Sequence, residues 1–354
     1  MKGLILAGGK GTRMRPFTYT GAKQLVPVAN KPVLFYAIED LVEAGITEIG
    51  MVVGDTGAQV REAVGDGAAF GARITYIEQD APRGIAHGIK IAQPFIGNDK
   101  FVLFLGDNFI RDGIVSQVAA FRDPAVHAQI ILYKMDDPSS LGVAVLDATG
   151  RVTRLVEKPK QFISPYAVIG IYMFDHHVFE AVQAIQPSAR GELEITDTIQ
   201  YLVDQQLQVR APLLEGWWID TGKVQDILEA NRLVLDILEA KNEGRVDSAS
   251  QIEGRVILQP GAVVVNSTIR GPAIIGERTR IENAFVGPYT SIYHDCLVQN
   301  CEIEHSVVLE ASRIVDTPAR VADSLIGRNA EIARASGRTK TLKMMIGDFS
   351  KVGI

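Results

Sequence analysis

Along the first 110 residues, short apolar runs alternate with amphipathic stretches, and this alternation predicts an α/β sheet. Residues 4–7, Leu-Ile-Leu-Ala, make an apolar run of strand length that breaks into glycines. Residues 32–44 carry Leu34, Ile38, Leu41 and Val42 at helical spacing, opened by Pro32 and stopped by Gly45. Further strands are predicted over 48–53, 73–77 and 101–105, and helices over 56–64 and 84–92. The 101–105 run, Phe-Val-Leu-Phe-Leu, has no polar position, as expected of a central parallel strand covered on both faces. The result is a doubly wound, Rossmann-like α/β sheet, whose ligands sit beyond the carboxyl ends of the strands.

The period then changes. Four β segments, 129–133, 142–146, 152–157 and 167–174, follow one another, with 147–150 as a hairpin turn. They read as a second half, about 126–242, built on a nucleotide half of about 1–125. A long amphipathic helix over 223–240 ends this domain. From Ile252 onward apolar residues recur about every six positions, among them Val263, Ile269, Ile275, Ile281, Val286, Ile292, Leu297, Ile303, Val308 and Ile314. That spacing predicts a C-terminal parallel, left-handed β-helix of hexapeptide repeats over 243–354, with roughly three hexads per turn and about four coils. Such a stack often serves assembly, so a homo-oligomer is expected. Residues 341–354, with Met344, Met345, Ile346 and Phe349, are expected to close one end.

Composition narrows the class. The chain has 354 residues, 47% of them hydrophobic, enough for a sizeable core. A net charge of −6 argues against nucleic-acid binding by bulk charge. The two cysteines, Cys296 and Cys301, make no disulfide framework, which favours a cytoplasmic setting. No apolar run reaches membrane-spanning length. The opening Met1–Ala7 is too short for a signal peptide and runs into glycines and charge.

The candidate chemistry begins at Gly8-Gly9-Lys10-Gly11-Thr12-Arg13, with Lys23 ten residues on. Three glycines let backbone N–H groups approach an anion, and the cations add charge where a polyphosphate would lie. A P-loop is excluded because Gly11 follows Lys10, and the dinucleotide fingerprint fails at Met14. A loop for a nucleoside triphosphate or a plain tight turn remains. Beyond the later strands come Gln79, Gly106-Asp107-Asn108, Glu157-Lys158-Pro159 and Trp217-Trp218-Ile219-Asp220. Asp107 reads as a turn residue or a magnesium ligand. Glu157-Lys158 reads as solvated surface or as the wall of a cleft. Thr196 and Asp197 read as helix-capping residues, and the two tryptophans as core.

The string L-A-G-G-K-G-T-R-M-R-P, with K-Q-L-V-P-V-A-N-K-P behind it, resembles the signature of the sugar-1-phosphate nucleotidylyltransferases. Within that family it is most similar to the glucose-1-phosphate thymidylyltransferases, in their long form with an extra C-terminal domain. The resemblance is dense over residues 1–240. It implies dTTP (or UTP) and glucose 1-phosphate as substrates and Mg²⁺ as cofactor, with no nucleic acid and no membrane as partner. It implies that Asp107 and Asp220 hold the metal, Arg13 the departing pyrophosphate and Lys23 the phosphates near the α position. Lys158 would hold the sugar phosphate, with Arg190 a second candidate for that task. Leu6, Gly8, Gly9, Gly11 and Thr12 would line the nucleotide, while Gln24, Gln79 and the backbone at Gly84 read the base. Gly142, Glu157, Val168 and Tyr172 would meet the sugar. Ile169 departs from the threonine usual in the short enzymes, which puts a polar sugar contact from that side chain in question.

The expected reaction is an in-line attack of a sugar 1-phosphate oxygen on the α-phosphorus of the triphosphate. A phosphate monoester is mostly dianionic near pH 7, with a second pKa of about 6, so the nucleophile needs no general base. An alternative or additional activity is acyl transfer by the hexapeptide tail with His294 or His305 as base; the competing reading makes both surface histidines on a structural stack.

Overall fold

The computed structural model describes residues 1–9, 11–334 and 344–353. The chain forms two compact units. The first takes Met1–Lys10, Gly21–Leu25 and Val33–Asp220, and the second Gly11–Thr20, Val26–Pro32 and Thr221–Ile354. Among the described residues no helix is long and apolar enough to cross a membrane.

In the first unit the parallel strands are β1 (Lys2–Leu6), β2 (Glu48–Val53), β3 (Arg73–Glu78) and β4 (Phe101–Leu105). β1 lies between β2 and β4, with β3 beyond β2. Between them run α1 (Val33–Glu43), α2 (Gly57–Val64) and α3 (Ile85–Ile96). Gly45 does stop α1: its φ of 77° is one that side chains rarely adopt. Its turn lets the Ile46 N–H donate back to the Leu41 carbonyl at 2.9 Å.

After β4 come β5 (Asn108–Ile110), α4 (Val115–Phe121), β6 (Ala128–Lys134), β7 (Gly142–Leu146), β8 (Val152–Glu157) and β9 (Tyr166–Phe174). α5 (His177–Ala184), α6 (Ile195–Asp204), β10 (Val209–Arg210) and β11 (Trp218–Asp220) complete the unit. β9 joins the two halves into one mixed sheet. Its first residues, Tyr166–Val168, pair with β7, and its last, from Ile171 to Phe174, pair antiparallel with β4. Apolar side chains fill both faces. Leu34, Ile38, Phe104, Ile131 and Met173 pack on one, Leu4, Ile89, Leu103, Ile130 and Phe174 on the other. Ile169 is fully buried in the first of these layers, the one opposite to that holding Val168 and Tyr172.

The second unit holds α7 (Val224–Leu235) and the β-helix. The helix ends five residues before the expected 240. The reason is local: Arg255 donates to the Asp236 carbonyl and, at 3.1 Å, to its carboxylate, which anchors the last turn. The coil also starts earlier than Ile252, with Lys241–Asn242 pairing to Val256–Leu258 and Arg245–Val246 to Val263–Val265. Of these first strands Lys241, Asn242 and Arg245 are exposed and polar and only Val246 is half-buried against the core, so the six-residue apolar pattern does not mark them.

Three parallel sheets then climb together, and equivalent residues recur every 17 positions in the first coils and at 16 or 18 in the later ones. Ile269, Ile275, Ile281, Val286, Ile292, Val298, Ile303, Val308 and Ile314 fill the interior. One corner is a ladder of side chains. Asn266 donates to Asn283, Asn283 to Asn300, and Asn300 to Asp316, at 2.8, 3.1 and 2.6 Å. All four have positive φ, a conformation asparagine and aspartate tolerate better than other side chains. Of the stretch expected to close one end, 341–343 and 354 lie outside the described residues. Met345 and Ile346 are exposed, and Phe349 meets the Tyr19 ring at 6.2 Å.

Candidate active site

Two short strands pair and set Asp220 opposite the chain neighbour of Asp107. β4 ends at Leu105, Gly106 makes the turn, and β5 begins at Asn108. β11 runs antiparallel to β5 with Asp220 opposite Asn108, the residue next to Asp107. Gly106 fits closely at the turn: a Cβ there would lie 3.0 Å from Leu34 and 3.2 Å from the Leu6 carbonyl. Asp107 is tied on both oxygens. The Lys23 ammonium ion-pairs with one, and the Asn108 amide donates to the other at 3.0 Å. Asn108 is fixed in turn by the Trp218 indole N–H, which donates to its Oδ1 at 2.7 Å. Burial alone would raise the Asp107 pKa, but Lys23 and Asn108 together hold it below the usual carboxylate range. It stays ionised, and two hard oxygen donors at the carboxyl end of β4 suit a hard divalent cation.

The glycine turn surrounds this point. A Cβ on Gly8 would stand 3.2 Å from the Gly54 nitrogen and 3.4 Å from Gln79 Oε1. One on Gly9 would stand 3.6 Å from Gln24 Nε2 and from Lys23 Cε. Gly8, Gly9, Lys23, Gln24 and Gln79 therefore cluster about one loop. Gln24 is 2% exposed, and its Oε1 is buried with no hydrogen-bond partner among the described residues. Gln79 donates its amide N–H to His87 Nδ1 at 2.9 Å. Leu6 is half-buried against Gly88. Gly84 starts α3 at φ 98°, and a Cβ there would meet the Leu193 carbonyl at 2.4 Å, so only glycine fits. Gly11, Thr12 and Arg13 belong to the second unit. Gly11 has φ 60°, and Thr12–Met14 forms one 3₁₀ turn above the buried Met14. Arg13 is exposed, and its charge acts on Asp226. Lys10 lies outside the described residues.

A second cluster forms where β7, β8, β9 and the start of α6 meet. A Cβ on Gly142 would be 2.6 Å from Thr196 Cγ2 and 3.4 Å from Glu157 Oε2. Thr196 is not the helix cap its position in sequence suggests. It lies within the first turn, fully buried, and its hydroxyl donates to Glu157 Oε2 at 3.3 Å. Glu157 is pushed above the usual range by burial, against the opposing pull of Lys158. Lys158 lies at φ 43°, a costly conformation for a lysine, with Nζ 3.5 Å from Glu157 and its side chain half in water. Arg190 is more engaged than a free phosphate ligand would be. It bonds Glu194 at 2.7 Å and reaches Glu157 and Glu192 at 3.3 Å. Val168 and Tyr172 are each 4% exposed. The Tyr172 hydroxyl is pushed up first by burial and then by the charges of Glu157 and Asp220, so it stands between the two clusters.

Sequence reading missed Thr196, Glu194, His87 and Trp218 as site residues. A capping-type threonine, a helix-start glutamate and a core tryptophan carry no chemical signature until the fold sets them beside Glu157, Arg190 and Asn108. Among the described residues one histidine-rich group, His127, Asp175 and His177, has donors within 4.8 Å of one another. Its bonds are already satisfied. The Gln208 N–H donates to His127 Nδ1 at 3.2 Å, and His177 Nδ1 bonds Asp175 at 3.0 Å. In the β-helix, His294 and His305 are partly exposed, each beside an aspartate, Asp295 and Asp323.

A doubly wound sheet with paired carboxylates and a glycine turn at its carboxyl edge defines a nucleotidyltransferase, and the sequence profile of the nucleotidyl transferase family matches residues 2–237. The chain belongs to that family, on the branch of the glucose-1-phosphate thymidylyltransferases. It is 50% identical over 357 residues to a glucose-1-phosphate thymidylyltransferase of Streptomyces antibioticus, covering 100% of this chain and 99% of the relative. Another, from Streptomyces griseus, is 46% identical over 354 residues with the same coverage. A solved Bacillus anthracis structure, in complex with sucrose, superposes with a TM-score of 0.64 at 38% identity, covering 68% of this chain and 98% of that one.

Proposed function

We propose that this protein transfers the thymidylyl group of dTTP to glucose 1-phosphate, with Mg²⁺, giving dTDP-glucose and pyrophosphate. The observation that carries the reading is the pairing of Asp220 with Asn108, the residue beside Asp107, at the strand end. End-to-end similarity to two enzymes of that name supports the choice of substrates.

The sugar phosphate dianion is already a nucleophile, so no residue has to remove a proton. What the site must supply is alignment and charge. Asp107 and Asp220 would hold the magnesium, which when bound screens the triphosphate and stabilises the departing pyrophosphate. Lys23 neutralises Asp107; with a metal held by that carboxylate, the ammonium would be free to hold the phosphates near the α position. The resemblance assigns the departing pyrophosphate to Arg13. Lys158, half in water beside Glu157, holds the phosphate of the sugar, and Glu157 accepts hydrogen bonds from its hydroxyls. Arg190 holds Glu157 and Glu194 in place rather than meeting the phosphate itself.

The orphaned Gln24 Oε1 calls for a hydrogen-bond donor on the bound base, which the ring N–H of thymine or uracil supplies. Thymine over uracil rests on one methyl group, whose burial is worth about 0.8 kcal/mol, a few-fold preference. The β-helix is assigned to self-association and the protein to the cytoplasm, where its two buried thiols stay unpaired. The test is pyrophosphate release with dTTP, UTP, CTP, ATP and GTP against several sugar 1-phosphates. Turnover highest with dTTP and glucose 1-phosphate supports the reading; release only with a purine triphosphate overturns it.

A further inference from the structure

One face of α3 borders a cavity. His87, Lys90 and Ile91, at helical spacing on α3, and Arg83, just ahead of the helix, line a cavity of about 290 Å³ together with Pro187, Gly191 and Leu193. One wall is basic and the other apolar. His87 joins this cavity to the nucleotide cluster. It is only 9% exposed, and its Nδ1 accepts the Gln79 amide N–H at 2.9 Å. A ring that accepts at Nδ1 carries its proton on Nε2. Among the described residues Nε2 has no hydrogen-bond acceptor, so its N–H is left open to solvent, and His87 is one of the residues that bound the cavity. The charges acting on His87 are the cations of Arg83 and Lys90 and the carboxylate of Asp80, which is ion-paired to Arg83.

We propose that this cavity binds a phosphate monoester and that its occupation resets Gln79 through His87. The inference rests on the reading of Gln79 as a contact of the nucleotide base. Phosphoryl oxygens accept the Nε2–H, while Lys90 and Arg83 supply the balancing charge. The apolar wall of Ile91, Pro187 and Leu193 takes the organic part of the ester, for which a cavity this size has room beyond the phosphate itself.

A dianion beside the ring favours the imidazolium, whose added proton comes from solvent. Nδ1 then carries a hydrogen and can no longer accept from Gln79. The amide must turn its oxygen to Nδ1 and its NH₂ toward Gly8, where Oε1 now lies. The order of donor and acceptor shown to the base is inverted, and nucleotide affinity falls. By linkage, bound nucleotide weakens the ester to the same degree.

The test follows the His87 imidazole by NMR in the full chain during titration with glycerol 3-phosphate and, separately, inorganic phosphate. Calorimetry measures dTTP binding, without sugar phosphate, in parallel. Lys90→Glu, at an exposed position outside the nucleotide site, is the control. The proposal expects a saturable shift of the His87 resonance and at least fivefold weaker dTTP binding in the wild type. In Lys90→Glu both are lost. Tighter binding of the ester than of phosphate supports the role of the apolar wall. A His87 signal unmoved at tens of millimolar ester, or equal weakening of dTTP in both proteins, overturns it. A wild type that binds no dTTP at all counts against the thymidylyl reading, while the cavity is still judged on the His87 signal.

Discussion

The Trp218 indole N–H donates to Asn108 Oδ1 at 2.7 Å, and Asn108 in turn donates to Asp107. Through Asn108, a tryptophan thus fixes the rotamer of a carboxylate proposed to hold the metal. Gly170 leaves room for this contact, since a Cβ there would lie 2.6 Å from Asn108 Oδ1. Trp218→Phe keeps the ring and removes the donor. It is expected to lower kcat about tenfold, the equivalent of one lost hydrogen bond of ~1.4 kcal/mol, and to raise the Mg²⁺ concentration at half-maximal rate. Initial rates across a Mg²⁺ series check this; an unchanged Mg²⁺ profile removes Trp218 from the account.

Gly142 is a test of the sugar end. The Cβ of Gly142→Ala would fall 2.6 Å from Thr196 Cγ2, and Thr196 holds Glu157. The expected outcome is a KM for glucose 1-phosphate raised about tenfold, ~1.4 kcal/mol, with the KM for dTTP within about twofold of wild type. A rise in the dTTP KM alone would assign this corner to the wrong substrate.

Glu157 makes a prediction about pH. Its folded-state pKa lies above the ordinary value of about 4.5, chiefly through burial. The folded protein therefore binds more protons than the unfolded chain in the window just above that value, and stability from this group falls as pH rises through it. Glu157→Gln does not titrate. The melting temperature of the variant relative to wild type should thus be higher at pH 7 than at pH 4, by circular dichroism. A difference that shrinks with rising pH contradicts the sign.

Asn231 supports the second unit. It is 1% exposed, accepts from the Ala29 N–H at 2.9 Å and the Ser291 hydroxyl at 2.6 Å, and donates to the Tyr289 carbonyl at 3.0 Å. Asn231→Ala leaves three groups without that partner and is expected to cost the second unit about 2–4 kcal/mol in urea unfolding. A loss under ~0.5 kcal/mol would mean that water replaces the amide.

The parallel strands, the glycine turn and the hexad coil were legible because each repeats a period or breaks one. Phe101–Leu105 can only be a covered strand, and apolar residues six apart can only line a coil. What could not be read was pairing across the chain. Nothing local to Trp218-Ile219-Asp220 says that it lies against Asn108, 110 positions earlier. Lys241–Asn242 is as polar as any linker and becomes a strand only because Val256–Leu258 offers it an edge. Thr196 looks like a cap because capping is what most threonines at helix starts do, and its service to Glu157 depends on where β8 ends.

The pair of carboxylates is tested most directly by pyrophosphate release from dTTP and glucose 1-phosphate at a series of Mg²⁺ concentrations, for wild type, Asp107→Asn and Asp220→Asn. The account predicts that each variant folds, binds metal more weakly and loses about 10²–10³ in kcat. Turnover close to wild type from either variant, at any Mg²⁺ concentration in the series, would contradict it.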